Sequence, residues 1–321
     1  MWAAIYPGQG SQQVGMGKFL FENFKEAQHL FEEASDALSL NFKKLCFDGP
    51  EDDLALTENT QPALLLVSTV THQVLKNTAG FAPMAACGHS IGEYAAVVGS
   101  GACKFTDALK AVRKRGEFMQ SAVPVGQGSM AAVLSMTPEQ VEIICKKATN
   151  ESKLGVVEPA NFNAPGQIVV SGSKAALDWL IANYNASWLE GSPRGKFIPL
   201  KVSAPFHCSL MKPAEEKMKV VLGDMPFQKA AYPVIQNVNA KPETDGASIR
   251  DNLVLQVSRP VRWIECVMEL KKQGAQKLIE LGSGKVASGL VKKIDSEAFT
   301  TFTINSLEDL KAVELALAEK G

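Results

Sequence analysis

The chain opens on an unbroken apolar run, residues 1–6, that stops at Pro7-Gly8. A short apolar run closed by turn residues fits a strand buried on both faces. Helical spacing follows through Phe19, Phe24, Leu30 and Phe31, with charges between them. A helix is predicted over 61–76, with Pro62 in its first turn, where a missing N–H costs little. A short apolar strand is predicted at 84–87. The turn Gly88-His89-Ser90-Ile91-Gly92 then leads into an apolar helix over 94–98, and a further helix covers 107–119.

The texture changes near Pro124. Strands at 127–134, 167–171 and 197–202 alternate with helices at 138–149 and 174–184. This β-α-β-α-β rhythm predicts a small α+β unit, residues 124–202, inserted in a larger α/β unit formed by 1–123 and 203–321. A strand at 234–238, a helix at 261–273 and a strand at 277–281 return the chain to the larger unit. No repeat, low-complexity tract or long linker interrupts it.

Composition narrows this picture. With 321 residues, 46% hydrophobic and 21% charged, the chain can bury a large core. A net charge of -1 gives no reason to expect nucleic acid as a partner. The six cysteines include no C-x-x-C pair, which argues against metal and redox motifs and for buried thiols in a reducing cytoplasm. The first apolar run lacks a charged leader and is short for a signal sequence. No apolar stretch approaches the ~20 residues of a membrane span. A cytoplasmic protein without membrane association is expected.

Gly88-His89-Ser90-Ile91-Gly92 fits G-x-S-x-G, a weak pattern by itself. Its setting between an apolar strand and a helix is what a nucleophile elbow requires. There the serine hydroxyl projects at a helix N-terminus, whose free N–H groups favour a developing oxyanion. Ile91 N–H is the natural first donor. The alternative is an ordinary turn with Ser90 as a helix cap.

A serine nucleophile needs a base. Of the four histidines, His29 and His72 lie in polar-flanked helical segments and read as surface residues. His89 is too close to Ser90 in the turn to reach its hydroxyl well, and reads as a pocket or packing residue. His207, after a predicted strand, remains by elimination, although a lone histidine there is more often structural. No Asp or Glu shortly before it is placed to orient it, which leaves a remote acid or a backbone carbonyl.

The ordered motifs then carry a resemblance. They are Pro7-Gly8-Gln9-Gly10-Ser11-Gln12, Thr60-Gln61-Pro62-Ala63, Gly88-His89-Ser90-Ile91-Gly92-Glu93-Tyr94, Arg115-Gly116 with Met119-Gln120, Ala160-Asn161-Phe162-Asn163, Pro205-Phe206-His207 and Glu280-Leu281-Gly282-Ser283-Gly284. Along nearly its whole length the chain resembles the malonyl-coenzyme A:acyl carrier protein transacylases. The resemblance implies a large α/β hydrolase-like subdomain with an inserted ferredoxin-like one, and an active site between them. It implies a Ser90–His207 dyad, with His207 oriented by the Gln256 backbone carbonyl and an oxyanion hole of Gln9 and Ile91 N–H. Arg115 would clamp the malonyl carboxylate through two parallel hydrogen bonds. From charge pattern alone, Arg115 within Arg113-Lys114-Arg115 reads as a solvated helix charge. Gln61, His89 and Asn161 would line the acyl pocket, where turn capping or packing are their plainer readings. Phe206, by analogy with related modular acyltransferases, would crowd an α-methyl branch and favour malonyl; many stand-alone members carry serine there.

The implied function is transfer of malonyl from malonyl-coenzyme A to the phosphopantetheine thiol of acyl carrier protein, supplying fatty acid synthesis through a monomeric, cofactor-free and metal-free enzyme. Arg194 and Lys196 would meet the acidic carrier protein. Rival readings are a discrete polyketide-type acyltransferase, a serine acyl hydrolase and a non-catalytic acyl-binding protein.

Overall fold

A computed structural model describes residues 1–191, 193–202 and 204–319. The expected boundary residue Ser203 and the chain end at Gly321 lie outside them. The strands are β1 (Trp2–Tyr6), β2 (Ala86–Gly88), β3 (Gly128–Leu134), β4 (Val157–Ala164), β5 (Gln167–Ser173), β6 (Lys196–Pro199), β7 (Val234–Ile235), β8 (Pro242–Glu243), β9 (Lys277–Glu280) and β10 (Thr300–Thr303).

Six of them form one sheet in the order β10-β9-β1-β2-β7-β8. Every pairing is parallel except β7 with β8. Helices cover both faces, so β1 and β2 read as continuous apolar runs rather than alternating ones. Ala4 and Tyr6 pack into one core, Ala3 and Ile5 into the other. The second sheet is antiparallel, with the order β4-β5-β3-β6. With the helices Pro138–Ser152 and Lys174–Asn183 it forms the β-α-β-β-α-β arrangement of a ferredoxin-like unit. The mixed α/β architecture expected from the sequence is therefore present.

Some details differ. β4 was not expected: Pro159, Asn161 and Asn163 break its apolar pattern, and register shifts bend it. That bend lets one strand serve two bodies, because Val261 N–H donates to Ala160 C=O at 2.8 Å and Phe162 N–H to Val261 C=O at 2.9 Å. The strand predicted at 234–238 ends at Ile235, since Gln236 and Asn237 turn inward to bond buried polar groups. The strand predicted at 197–202 ends at Pro199.

The long helix runs from Thr57 to Ala79, so Pro62 lies in its interior rather than its first turn. Proline has no N–H for the carbonyl four residues earlier, which belongs to Glu58. Arg113 Nη1 supplies the missing donor at 2.9 Å. His72 on this helix is 6% exposed, contrary to the surface position expected. Its Nδ1 pairs with the Tyr6 hydroxyl at 2.5 Å, and burial pushes its pKa down to about 4. Polar neighbours misled because Ser68 and Thr71 are buried too. His29 is exposed. All six cysteines are free and buried. Among the described residues no helix is long and apolar enough to cross a membrane.

Candidate active site

Parallel strands deliver their following loops to one edge of the sheet, where α/β proteins collect ligands. Gln9 follows β1, Ser90 follows β2 and Asn237 follows β7. Because β2 lies between β1 and β7, Ser90 stands at the centre of that edge.

Ser90 has φ 52° and ψ -108° and precedes the elbow helix, Ile91–Gly99. The turn is feasible only with small neighbours. A Cβ on Gly88 would lie 2.0 Å from the Gly92 carbonyl group, and one on Gly92 would lie 2.4 Å from Tyr6 O. Both contacts are backbone, which cannot yield.

Ser90 Oγ lies 2.7 Å from His207 Nε2, and His207 Nδ1 lies 2.9 Å from the Gln256 backbone oxygen. A carbonyl only accepts, so Nδ1 carries the proton and Nε2 is left to accept from the serine. The tautomer is the one a general base needs. The group His207 Nδ1 meets is thus a backbone carbonyl, at the end of the helix Gly246–Gln256. Burial and the positive charge of Arg115 push the His207 pKa down to about 3, against the raising effect of the Gln256 carbonyl.

Arg115 is 1% exposed. It lies on the helix Phe105–Ser121 one residue before Gly116, where a Cβ would fall 2.6 Å from Glu58 Cα. That close crossing of two helices carries the side chain inward. Its neighbours Arg113 and Lys114 instead pair with Glu117 near the surface. Arg115 Nη1 donates to Gln61 Oε1 at 2.8 Å. Nη2 donates to Gln256 Oε1 at 2.9 Å and to Ser90 Oγ at 3.1 Å. The guanidinium also lies over the Tyr94 ring, 5.6 Å from its centroid. Nε has no partner among the described residues. Burial lowers the Arg115 pKa, against the raising effects of Tyr94 and Glu93, yet a guanidinium stays protonated.

Two polar residues without a role assigned from sequence complete the network. Glu93, wholly buried, accepts from Gln256 Nε2 at 2.7 Å and from Asn237 N–H at 3.2 Å. Burial raises its pKa to about 7, opposed by those two bonds and by Arg115. Asn237 bonds the backbone on both sides of His89. Glu93 had a sequence signal, a carboxylate in an otherwise apolar helix, whereas Asn237 shares its apolar run with Gln236 and was not singled out by it.

The cavity over Ser90 holds about 180 Å³ and is lined by Gln9, Gln61, His89, Arg115, Asn161, Phe206 and His207 among others. The structure thus brings together every residue expected in the active site except Ile91 and Gln256, which stand directly behind it, while Arg194 and Lys196 lie away from it on the surface. Gln61 and Asn161 are not turn caps: one is inside the long helix, the other in β4. His89 bonds Asn163 Oδ1 through Nε2 at 2.7 Å and rests edge-on against Trp263. A larger groove, about 780 Å³ between the helix Pro138–Ser152, β4 and the segment 259–265, has no serine or histidine in its lining among the described residues. No group of three or more His, Cys, Asp or Glu side chains is placed to hold a metal ion among the described residues.

Known proteins resemble this chain along most of its length. The acyl transferase domain family matches residues 4–291. The malonyl CoA-acyl carrier protein transacylase of Bacillus subtilis is 44% identical over 317 residues, 98% of this chain and 96% of the relative. The crystal structure of an acyl carrier protein S-malonyltransferase from Vibrio cholerae superposes with a TM-score of 0.90 at 40% identity, covering 97% of this chain and 99% of that one. A malonyl-transacylase solved in complex with its type II PKS acyl-carrier protein gives 0.91 at 37% identity, covering 98% and 99%. Matched by the family over most of its length and by relatives nearly end to end, the chain belongs to the acyl transferase domain family, within the malonyl-CoA–acyl carrier protein transacylases.

Proposed function

We propose that this chain transfers malonyl from malonyl-coenzyme A to the phosphopantetheine thiol of acyl carrier protein, supplying fatty acid synthesis, through an ester on Ser90. The observation that carries the proposal is a buried guanidinium 3.1 Å from the hydroxyl of a serine–histidine pair. A carboxylate enters a dry cavity only if a fixed cation meets it. Arg115 offers a planar fork already held on both arms by Gln61 and Gln256, so little order remains to be imposed when an acid tail binds. Neutral acyl groups gain nothing from it.

In the first half-reaction His207 Nε2 takes the Ser90 proton as Oγ attacks the thioester carbonyl. The Gln9 and Ile91 amides hold the oxyanion. The proton passes from His207 to the departing coenzyme A thiolate, which leaves as the thiol. In the second half the carrier thiol enters, gives its proton to His207 and collapses the ester, and Ser90 recovers its hydrogen. We take the enzyme as a monomer. Phe206, 8% exposed in the cavity wall, narrows the space beside the acyl chain and supports preference for an unbranched malonyl. We take residues 124–202 as the subdomain that closes the cleft. Arg194 and Lys196 are exposed at its edge strand, suited to an acidic carrier protein.

A hydrolase would release malonate, whereas transfer loads the carrier. Ser90→Ala is expected to abolish the covalent malonyl adduct by intact mass; a persistent adduct would move the nucleophile elsewhere. Arg115→Ala should weaken malonyl relative to acetyl by about 2–4 kcal/mol in kcat/KM, and unchanged selectivity would reject the clamp. Since burial and Arg115 push the His207 pKa down to about 3, its base form persists as pH falls. Modification of Ser90 by an uncharged serine-directed reagent should hold its rate from about pH 8 to about pH 5; an inflection near 6.5 would contradict the depressed pKa. Reversing the charge at both Arg194 and Lys196 should slow the carrier half-reaction alone, and equal losses in both halves would count against this docking surface.

A further inference from the structure

Ser90 occupies a backbone conformation that residues with a Cβ rarely adopt. One side chain spans the peptides around it. Asn237 Oδ1 accepts from Ser90 N–H at 2.8 Å, and Asn237 Nδ2 donates to Gly88 C=O at 2.8 Å. A carboxamide presents an acceptor and a donor side by side, which is what these two flanking groups require. Asn237 is itself fixed. It follows β7, which pairs with β2 through Cys87 and Ile235. Its N–H donates to Glu93 Oε2 at 3.2 Å, and its C=O accepts from Arg262 N–H at 3.1 Å. Glu93 lies on the elbow helix, so the bracket closes on the element it holds. Asn237 has no exposed surface and does not line the cavity.

We infer that Asn237 is the positioning residue of the nucleophile, setting the aim of Ser90 through the two backbone groups on either side of His89. This rests on Ser90 as the nucleophile. Substrate never touches Asn237, so its loss changes the rate of every acyl transfer alike and leaves the preference among acyl groups as it was. Misplacing a reacting atom by about 1 Å costs on the order of 100-fold in rate.

Asn237→Asp separates aim from simple packing. As a neutral acid, aspartic acid copies the carboxamide: its O–H donates to Gly88 and its C=O accepts from Ser90. As an anion it still accepts from Ser90 N–H, but its other oxygen has no hydrogen to give the Gly88 carbonyl, and that side of the bracket opens. The charged and titratable groups facing this position are Glu93 on the elbow helix, Cys87 on β2, Cys266 on the helix Trp263–Lys272 and, beyond Gln256, Arg115. Burial and Glu93 favour the neutral form, and Arg115 opposes them.

The test measures malonyl and acetyl transfer, and Ser90 labelling by a fluorophosphonate, for wild type, Asn237→Ala and Asn237→Asp from about pH 5.5 to about pH 8.5. Asn237→Ala should lose roughly 100-fold in kcat and labelling at every pH, with an unchanged malonyl-to-acetyl ratio. Asn237→Asp should approach wild type at the acid end and fall relative to it as pH rises, the ratio of the two profiles removing the Glu93 titration they share. Wild-type rates for Asn237→Ala, or a parallel pH profile for Asn237→Asp, would overturn the inference. If Asn237→Ala does not fold, the Asn237→Asp profile decides alone. Ser90→Ala, run beside them, keeps the two readings apart: an adduct surviving there removes the nucleophile itself, whereas its loss with fast Asn237 variants removes only the bracket.

Discussion

A full positive charge buried inside the protein is the constraint around which the site is organised. Taken out of water, a guanidinium loses hydration worth many kcal/mol and is tolerated only where acceptors replace it. The chain supplies Gln61 from the long helix, Gln256 from a distant one, the Ser90 hydroxyl and the face of Tyr94. None of the four carries a full negative charge. Among the described residues the Glu93 carboxylate makes no hydrogen bond to Arg115 and is linked to it through the Gln256 carboxamide. A direct salt bridge would saturate the cation. Neutral acceptors hold it in position and leave its field available to an incoming acid.

Gln256 couples the parts. Its backbone oxygen fixes the His207 tautomer, its side-chain oxygen holds Arg115, and its amide nitrogen bonds Ser90 C=O and Glu93. Because Glu93 accepts there, the carboxamide presents its oxygen to the arginine. The proposed base, clamp and nucleophile therefore share one scaffold residue. The cation also acts on the base: it helps keep His207 neutral and ready to accept a proton. It donates to the Ser90 oxygen from which that proton leaves.

Much of this was legible in the sequence where local patterning and tertiary demand coincide. The buried parallel strands read as apolar runs, and the elbow followed from glycines placed where backbone meets backbone. Reading failed where long-range polar contacts overrule the local pattern. β4 carries proline and asparagines because it bends to serve both bodies. The strand after Pro233 stops early because Asn237 is needed at the elbow. Pro62 is tolerated inside a helix because Arg113, far along the chain, takes the place of its missing N–H. Residue patterning alone placed Arg115 in solvent, and only ordered motif resemblance put it in the pocket. Its inward turn depends on Gly116 meeting Glu58, a contact between helices that no local window contains.

The most direct test of the account is a crystal structure of the enzyme trapped as its malonyl ester. The account predicts an ester on Ser90 Oγ, its carbonyl oxygen toward the Gln9 and Ile91 amides, and its carboxylate on the Arg115 fork with Gln61 and Gln256 still in place. A carboxylate pointing to solvent, with Arg115 unmoved and unliganded, would contradict it.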